Sequence, residues 1–179
     1  MTTPKVIQNR QSENRLAWIL GLNALALLGA LVVYLAPLQP NILVLQFSFD
    51  QASFQSVLAS WQPMGVLRYR IHLPIDFGLL ICYGAFGYVV TRNTGVFSGF
   101  SPRARMRVCW SMPAAALFDT IENVLHWHLT SGAVHTDSML YPIAGVSVVL
   151  KFALLGFFLL SFIAAMMRPR PTIPGMAER

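Results

Sequence analysis

The chain has 179 residues, of which 55% are hydrophobic and only 11% are charged, and its mean hydropathy is +0.57. Soluble domains are about 25% charged, so this composition indicates an integral membrane protein without a separate soluble domain. The net charge of +6 does not indicate nucleic-acid binding, because the basic residues are concentrated in the tails and one loop, as the positive-inside rule predicts.

The first predicted transmembrane helix covers residues 16–38, LAWILGLNALALLGALVVYLAPL. Lys5, Arg10 and Arg15 precede it. The apolar run is longer than the roughly 7–15 residues of a signal-peptide core, and no A-x-A cleavage site follows it. The sequence therefore predicts a first helix that is retained.

The segment 39–72 is predicted to be an extracytoplasmic loop with a short amphipathic helix. Phe54, Val57, Leu58 and Trp61 recur at i, i+3, i+4 and i+7, which places them on one helical face. Ser48 or Asp50 is suited to cap the start of that helix. An irregular loop with scattered aromatic residues is the alternative.

Three further predicted transmembrane helices cover residues 73–92, 108–129 and 141–167, and a Pro-rich, disordered tail is predicted at 168–179. The fold class is accordingly all-α. The predicted architecture is a polytopic four-transmembrane-helix bundle with a short extracytoplasmic amphipathic helix, and the whole chain, 1–179, forms a single membrane domain.

The distribution of Lys and Arg predicts the orientation. Ten basic residues lie in the N-terminal tail, in the loop between the second and third spans and in the C-terminal tail, whereas only Arg68 and Arg70 flank the other side. The chain is therefore predicted to be a multi-pass protein of the inner (plasma) membrane with both termini in the cytoplasm.

The third predicted span contains ALFDTIENVLHWH, which carries several polar residues inside an apolar segment. At about 100° per residue, Asp119, Glu122, Asn123 and His126 share one helical face. The opposite face, with Leu117, Ile121 and Val124, suits lipid. Ionisable residues inside a membrane usually face the protein interior and mark functional sites.

Candidate partners for this polar face lie on the neighbouring spans. Lys151 in the fourth span lies at the depth of Asp119 and is predicted to contact it. Asp76 and Tyr83, seven residues apart, share a face of the second span. The candidate ligand-binding residues are Asp76, Tyr83, Asp119, Glu122, Asn123, His126 and Lys151.

The charges of this set do not balance, because three carboxyl groups face one Lys. An unpaired charge is very unfavourable at low dielectric. Either a carboxyl group is protonated, or a cation or cationic ligand binds. If Asp119 takes Lys151, the only cation left for Glu122 is a protonated His126.

Three hypotheses for function follow. The first is a site for protons or for a small or lipid-like ligand. The second is an intramembrane acid–base enzyme on an apolar substrate, with Glu122, Asp119 and His126 as the catalytic candidates. The third is a structural or assembly protein whose buried charges only fix helix register. A transporter would need an oligomer, with which the sequence is compatible.

No metal, cofactor or nucleic-acid partner is predicted; the expected partners are the lipid bilayer and the ligand. Asp119, Glu122 and His126 are residue types that Zn, Fe or Mn accept, but one helix supplies only part of a coordination shell. Cys82 and Cys109 lie in apolar segments outside any C-x-x-C motif and are expected to be packing residues.

The pattern FDxxENxL, formed by Phe118, Asp119, Glu122, Asn123 and Leu125, is followed by Lys151 and preceded by RYR, Asp76 and Tyr83. In this it resembles a group of uncharacterised bacterial four-span membrane proteins. The resemblance covers most of the chain after Phe47. It implies the same architecture and the same choice of site, and it implies no activity.

Overall fold

The computed structural model describes residues 4–131 and 139–168, with side chains from residue 14 onward. The described residues form helices and no strand. The helices are α1 (Pro4–Leu35), α2 (Ile42–Gln46), α3 (Gln51–Asn93), α4 (Pro102–Leu129) and α5 (Leu140–Met167). The tail predicted to be disordered lies outside the described residues except for Arg168.

Three helical segments are long and apolar enough to cross a membrane: Asn14–Leu35, Gln51–Asn93 and Leu140–Met167. Helix α4 has a similar length to α5, but its polar residues, including Asp119 and Glu122, lower its mean hydropathy. The prediction of an all-helical fold is therefore confirmed for the described residues, and the first, second and fourth predicted spans lie in helices long and apolar enough to cross a membrane. A crossing by α4 stays a prediction.

The segment between the first two predicted spans is more helical than the sequence indicated. Helix α3 begins at Gln51 and is broken only at Gln62, whose φ of 58° and ψ of 173° are not helical. Pro63 follows, and a proline disfavours helical geometry in the preceding residue. Helix α3 thus has a short limb, 51–61, and a long limb, 63–93, which starts ten residues before the predicted span.

The short limb is the amphipathic helix expected from the sequence. Phe54, Val57 and Trp61 are buried, and Leu58 is half-buried. Asp50 caps its start: the side chain accepts hydrogen bonds from the backbone N–H of Ser53 (2.8 Å) and from its hydroxyl (2.7 Å). These bonds to the ionised form lower the pKa of Asp50.

The long helices pack in series, α1 on α3, α3 on α4 and α4 on α5. Small residues bring α3 and α4 together. A Cβ added at Gly84 would lie 3.2 Å from Ala116 Cβ, and one added at Gly87 would collide with the Met112 side chain. This close approach places polar residues of α3 within hydrogen-bonding reach of α4.

Two apolar clusters lie towards opposite ends of the helices. One contains Leu80, Val108 and Phe158, and the other contains Phe54, Tyr69 and Tyr141. The polar residues predicted to form a site lie between them along α3, α4 and α5. This position explains how the fold can hold them away from bulk water.

Arg68 and Arg70, the two exceptions to the basic-residue pattern, bind helix ends. Arg68 Nη1 donates to the carbonyl of Tyr34 near the end of α1 (3.4 Å), and Arg70 Nη1 donates to the carbonyl of Thr130 at the end of α4 (2.9 Å). Cations are favourable at helix C-termini. A local structural role thus explains both residues.

Candidate functional site

Lys151 joins α5 to α4 through two carboxylates. Its Nζ donates to Asp119 Oδ1 at 3.0 Å and to Glu122 Oε2 at 2.5 Å, and all three side chains are buried. The predicted contact between Lys151 and Asp119 is confirmed. The expectation that Glu122 has only His126 as a cation is wrong, because the ammonium group of Lys151 lies between both carboxylates and pairs with each.

Two further hydrogen bonds join α4 to α3. Tyr83 OH donates to Asp119 Oδ2 at 3.1 Å, and Asn123 Nδ2 donates to Asp76 Oδ2 at 2.7 Å. Asp119 thus receives hydrogen bonds from both neighbouring helices. The polar face predicted on α4 is the surface along which α3, α4 and α5 meet.

His126 forms a hydrogen bond with Tyr69, a residue outside the predicted site. Tyr69 OH and His126 Nδ1 are 2.6 Å apart, and both side chains are buried. His126 Nδ1 also lies 3.8 Å from Glu122 Oε1. His72, one turn after Tyr69, is buried as well, and its Nδ1 bonds the carbonyl oxygen of Tyr69.

A spacing of seven residues would have identified Tyr69. Tyr69, Asp76 and Tyr83 lie on one face of α3, but Tyr69 precedes the predicted start of the second span. Asn23 and Tyr34, polar residues of α1, lie apart from the cluster: Asn23 Nδ2 donates to the carbonyl of Ile19 at 2.8 Å, and Tyr34 lies under Arg68.

Several buried polar atoms of the described residues have no hydrogen-bond partner. They include Glu122 Oε1, His126 Nε2 and Tyr141 OH. Phe54, from the short limb of α3, packs against the rings of His126 and Tyr141, with centroid distances of 5.5 and 5.4 Å. The short limb therefore covers the buried polar groups with an aromatic side chain.

The predicted lipid-facing side of α4 is exposed on the protein surface. Leu117 and Val124 are exposed, and Ile121 is half-buried. Asp119, Glu122, Asn123 and His126 are all buried. The assignment of the two faces from helical periodicity is confirmed.

A cavity of about 740 Å³ lies between α1 and α5. These helices do not pack closely against one another in the described part of the chain. Most of the lining is apolar and includes Leu25, Leu28, Leu79 and Leu155. Helix α2 contributes Ile42, Leu43 and Gln46 to the lining.

The site residues fall into two groups with respect to this cavity. Those that line it are His72, Asp76, Tyr83, Asp119 and Lys151. Glu122, Asn123 and His126 do not line it; they are buried among α3, α4 and α5. The sequence predicted seven candidates as one set. The structure brings them together, with four of them lining the cavity and three buried next to those four.

The position of Lys151 bears on metal binding. Its ammonium group lies between the carboxylates of Asp119 and Glu122, where a metal ion would need to be. No group of three His, Cys, Asp or Glu residues within 4–131 and 139–168 has an arrangement suited to a metal ion.

Comparisons with protein-family models, with curated proteins and with solved structures gave no match to this chain.

Proposed function

We propose that this protein binds a lipid-like, amphipathic ligand in the cavity between α1 and α5. The observation that carries the proposal is a cavity with largely apolar walls into which Asp76, Asp119 and Lys151 bring polar groups. Ligand sites commonly occupy about 300–1,000 Å³ and combine apolar walls with a few polar groups. Here α1 and α5 would contact the hydrocarbon part of the ligand, and the polar residues would bind its head group.

The cavity predicts a matched pair of substitutions on α1. Leu28 lines the cavity, whereas Leu22 is exposed elsewhere on the same helix. Leu28→Trp should reduce the amount of co-purifying lipid-like ligand at least about fivefold, or about 1 kcal/mol in binding free energy, because the larger side chain occupies space that the ligand needs. Leu22→Trp should leave it unchanged. Native mass spectrometry of the extracted proteins measures both, and equal ligand in all three proteins would refute the proposal.

The proposed setting is the inner membrane, with α1, the long limb of α3, α4 and α5 all crossing the bilayer and both termini in the cytoplasm. The excess of basic residues in the tails and in the loop between α3 and α4 supports this orientation. The short limb of α3 then lies on the extracytoplasmic side.

Reporter fusions test this topology and the crossing by α4 together. A phosphatase that is active only outside the cytoplasm should be active after Ser53, and a fluorescent protein that folds only in the cytoplasm should fluoresce at the C-terminus. If α4 did not cross, the C-terminus would lie on the opposite side from the N-terminus. A cytoplasmic signal after Ser53, or an external C-terminus, would contradict the model.

The acid–base enzyme is the second candidate function, and the contacts of His126 favour it. Tyr69 OH and His126 Nδ1 are buried and 2.6 Å apart, which is close enough for proton transfer. Glu122 Oε1 lies 3.8 Å from the same nitrogen, so transfer to Glu122 would require its side chain to move closer. His126 and Glu122 do not line the cavity, however, and Phe54 covers His126. Catalysis there would require Phe54 to move, and for this reason ligand binding is the main proposal.

A further inference from the structure

Asp76 differs from the other carboxyl groups of the cluster. It lines the cavity and is only half-buried. Its Oδ2 accepts a hydrogen bond from Asn123 at 2.7 Å. The ion pairs of the described residues around this site use Asp119 and Glu122. The Asp76 carboxylate therefore borders the cavity, and among the described residues no Lys, Arg or His side-chain nitrogen lies within 4.0 Å of its oxygens.

The single positive charge of Lys151 is already shared by two other carboxylates. Its ammonium group already donates to Asp119 and Glu122. Lys151 supplies one positive charge against the three carboxyl groups of Asp76, Asp119 and Glu122. A carboxylate beside apolar walls is costly unless it is protonated or paired, so an ionised Asp76 needs a positive charge from the ligand.

We propose that the ligand's head group is a protonated amine, which binds the Asp76 carboxylate while its hydrocarbon chain lies between α1 and α5. This inference rests on the proposed function and specifies its ligand class, a long-chain or otherwise amphipathic amine. An ammonium group supplies the missing charge and donates charge-assisted hydrogen bonds to the carboxylate. The apolar lining from Leu25, Leu28 and Leu79 contacts the chain.

An anionic head group fits this end of the cavity poorly. A phosphate would approach Asp76 and Asp119, both acidic. Among the described residues that line the cavity, the Lys or Arg near them is Lys151, and two carboxylates already accept hydrogen bonds from its ammonium group. An uncharged alcohol can donate a hydrogen bond to Asp76 but leaves its charge unpaired. The expected order of affinity is amine, then alcohol, then phosphate.

The experiment uses dodecylamine, dodecanol and dodecyl phosphate as probes with the full chain in detergent, and native mass spectrometry measures their apparent affinities. Asp76→Asn should weaken dodecylamine binding about tenfold, the loss expected for a charge-assisted hydrogen bond. Binding of dodecanol should change less than about twofold, because the amide still accepts a hydrogen bond. Asp76→Glu, which keeps the charge, should retain the preference for the amine.

The outcomes separate this inference from the proposed function. If dodecylamine and dodecanol bind wild type and Asp76→Asn equally well, but Leu28→Trp weakens both, the amine is wrong and the cavity stands. A preference for dodecyl phosphate also overturns the amine. If the apparent affinities of Leu28→Trp for all three probes equal those of the wild type, the cavity is not the binding site and both proposals fail.

Discussion

Replacing Lys151 with Met is expected to lower the free energy of unfolding by about 3–5 kcal/mol, the cost of leaving a buried charge without its partner. The ammonium group of Lys151 is the shared donor to Asp119 and Glu122, at 3.0 and 2.5 Å. Methionine fills similar space but leaves both carboxylates without a cation. The neighbouring substitution Leu150→Met, at a partly exposed position of α5, should change stability by less than about 0.5 kcal/mol.

The bridging geometry predicts a graded recovery. Adding Asp119→Asn to Lys151→Met should restore part of the loss, because Glu122 remains unpaired. Adding Glu122→Gln as well should restore most of it, since replacing every member of a buried ionic group is often close to neutral. Unfolding in mixed micelles at increasing denaturing detergent measures each variant. Strictly additive losses would show that the three residues are not coupled.

Much of this site could be predicted because polar residues are rare in segments that cross a membrane, where they are energetically costly. In an apolar helix, the periodic positions of Asp119, Glu122 and Asn123 determine one face, and the depth of Lys151 in the last span selects its partner. The same reasoning placed Leu117 and Val124 on the outer face, where they are exposed. The periodicity of Phe54, Val57 and Trp61 likewise identified the short limb of α3.

Features that depend on how the helices are placed relative to one another could not be predicted from the sequence. That Lys151 reaches Glu122 as well as Asp119 depends on the rotation of α5 about its axis, which no pattern in one helix determines. The cavity exists because α1 packs on α3 without packing closely on α5. Tyr69 was missed because Arg68 and Arg70 made its segment look like a loop, although both arginines bind helix ends.

Replacing Phe54 with Ala should lower the free energy of unfolding by about 3–5 kcal/mol, the usual cost of a buried Phe→Ala change. Phe54 is 1% exposed and covers the rings of His126 and Tyr141. His126 Nε2 and Tyr141 OH lack hydrogen-bond partners. Water that enters the vacated space can bond to them, which should bring the loss to the lower end of this range.

The entry of water gives Phe54→Ala a signature that loss of packing alone does not. Phe158→Ala is the matched control, because Phe158 is also buried but packs against Phe86 and Phe97 in the other apolar cluster. Both variants should be destabilised, but only Phe54→Ala should expose His126 to diethyl pyrocarbonate, which acylates accessible imidazoles. The modification rate at His126, read by tandem mass spectrometry against N-acetylhistidine, should rise at least about tenfold, which corresponds to roughly 1.4 kcal/mol in the free energy of opening.

An unchanged rate would show that Phe54 does not seal the site. Fast reaction of His126 in the wild type would show that the site is already open, and it would favour the acid–base enzyme over a protein that only binds its ligand.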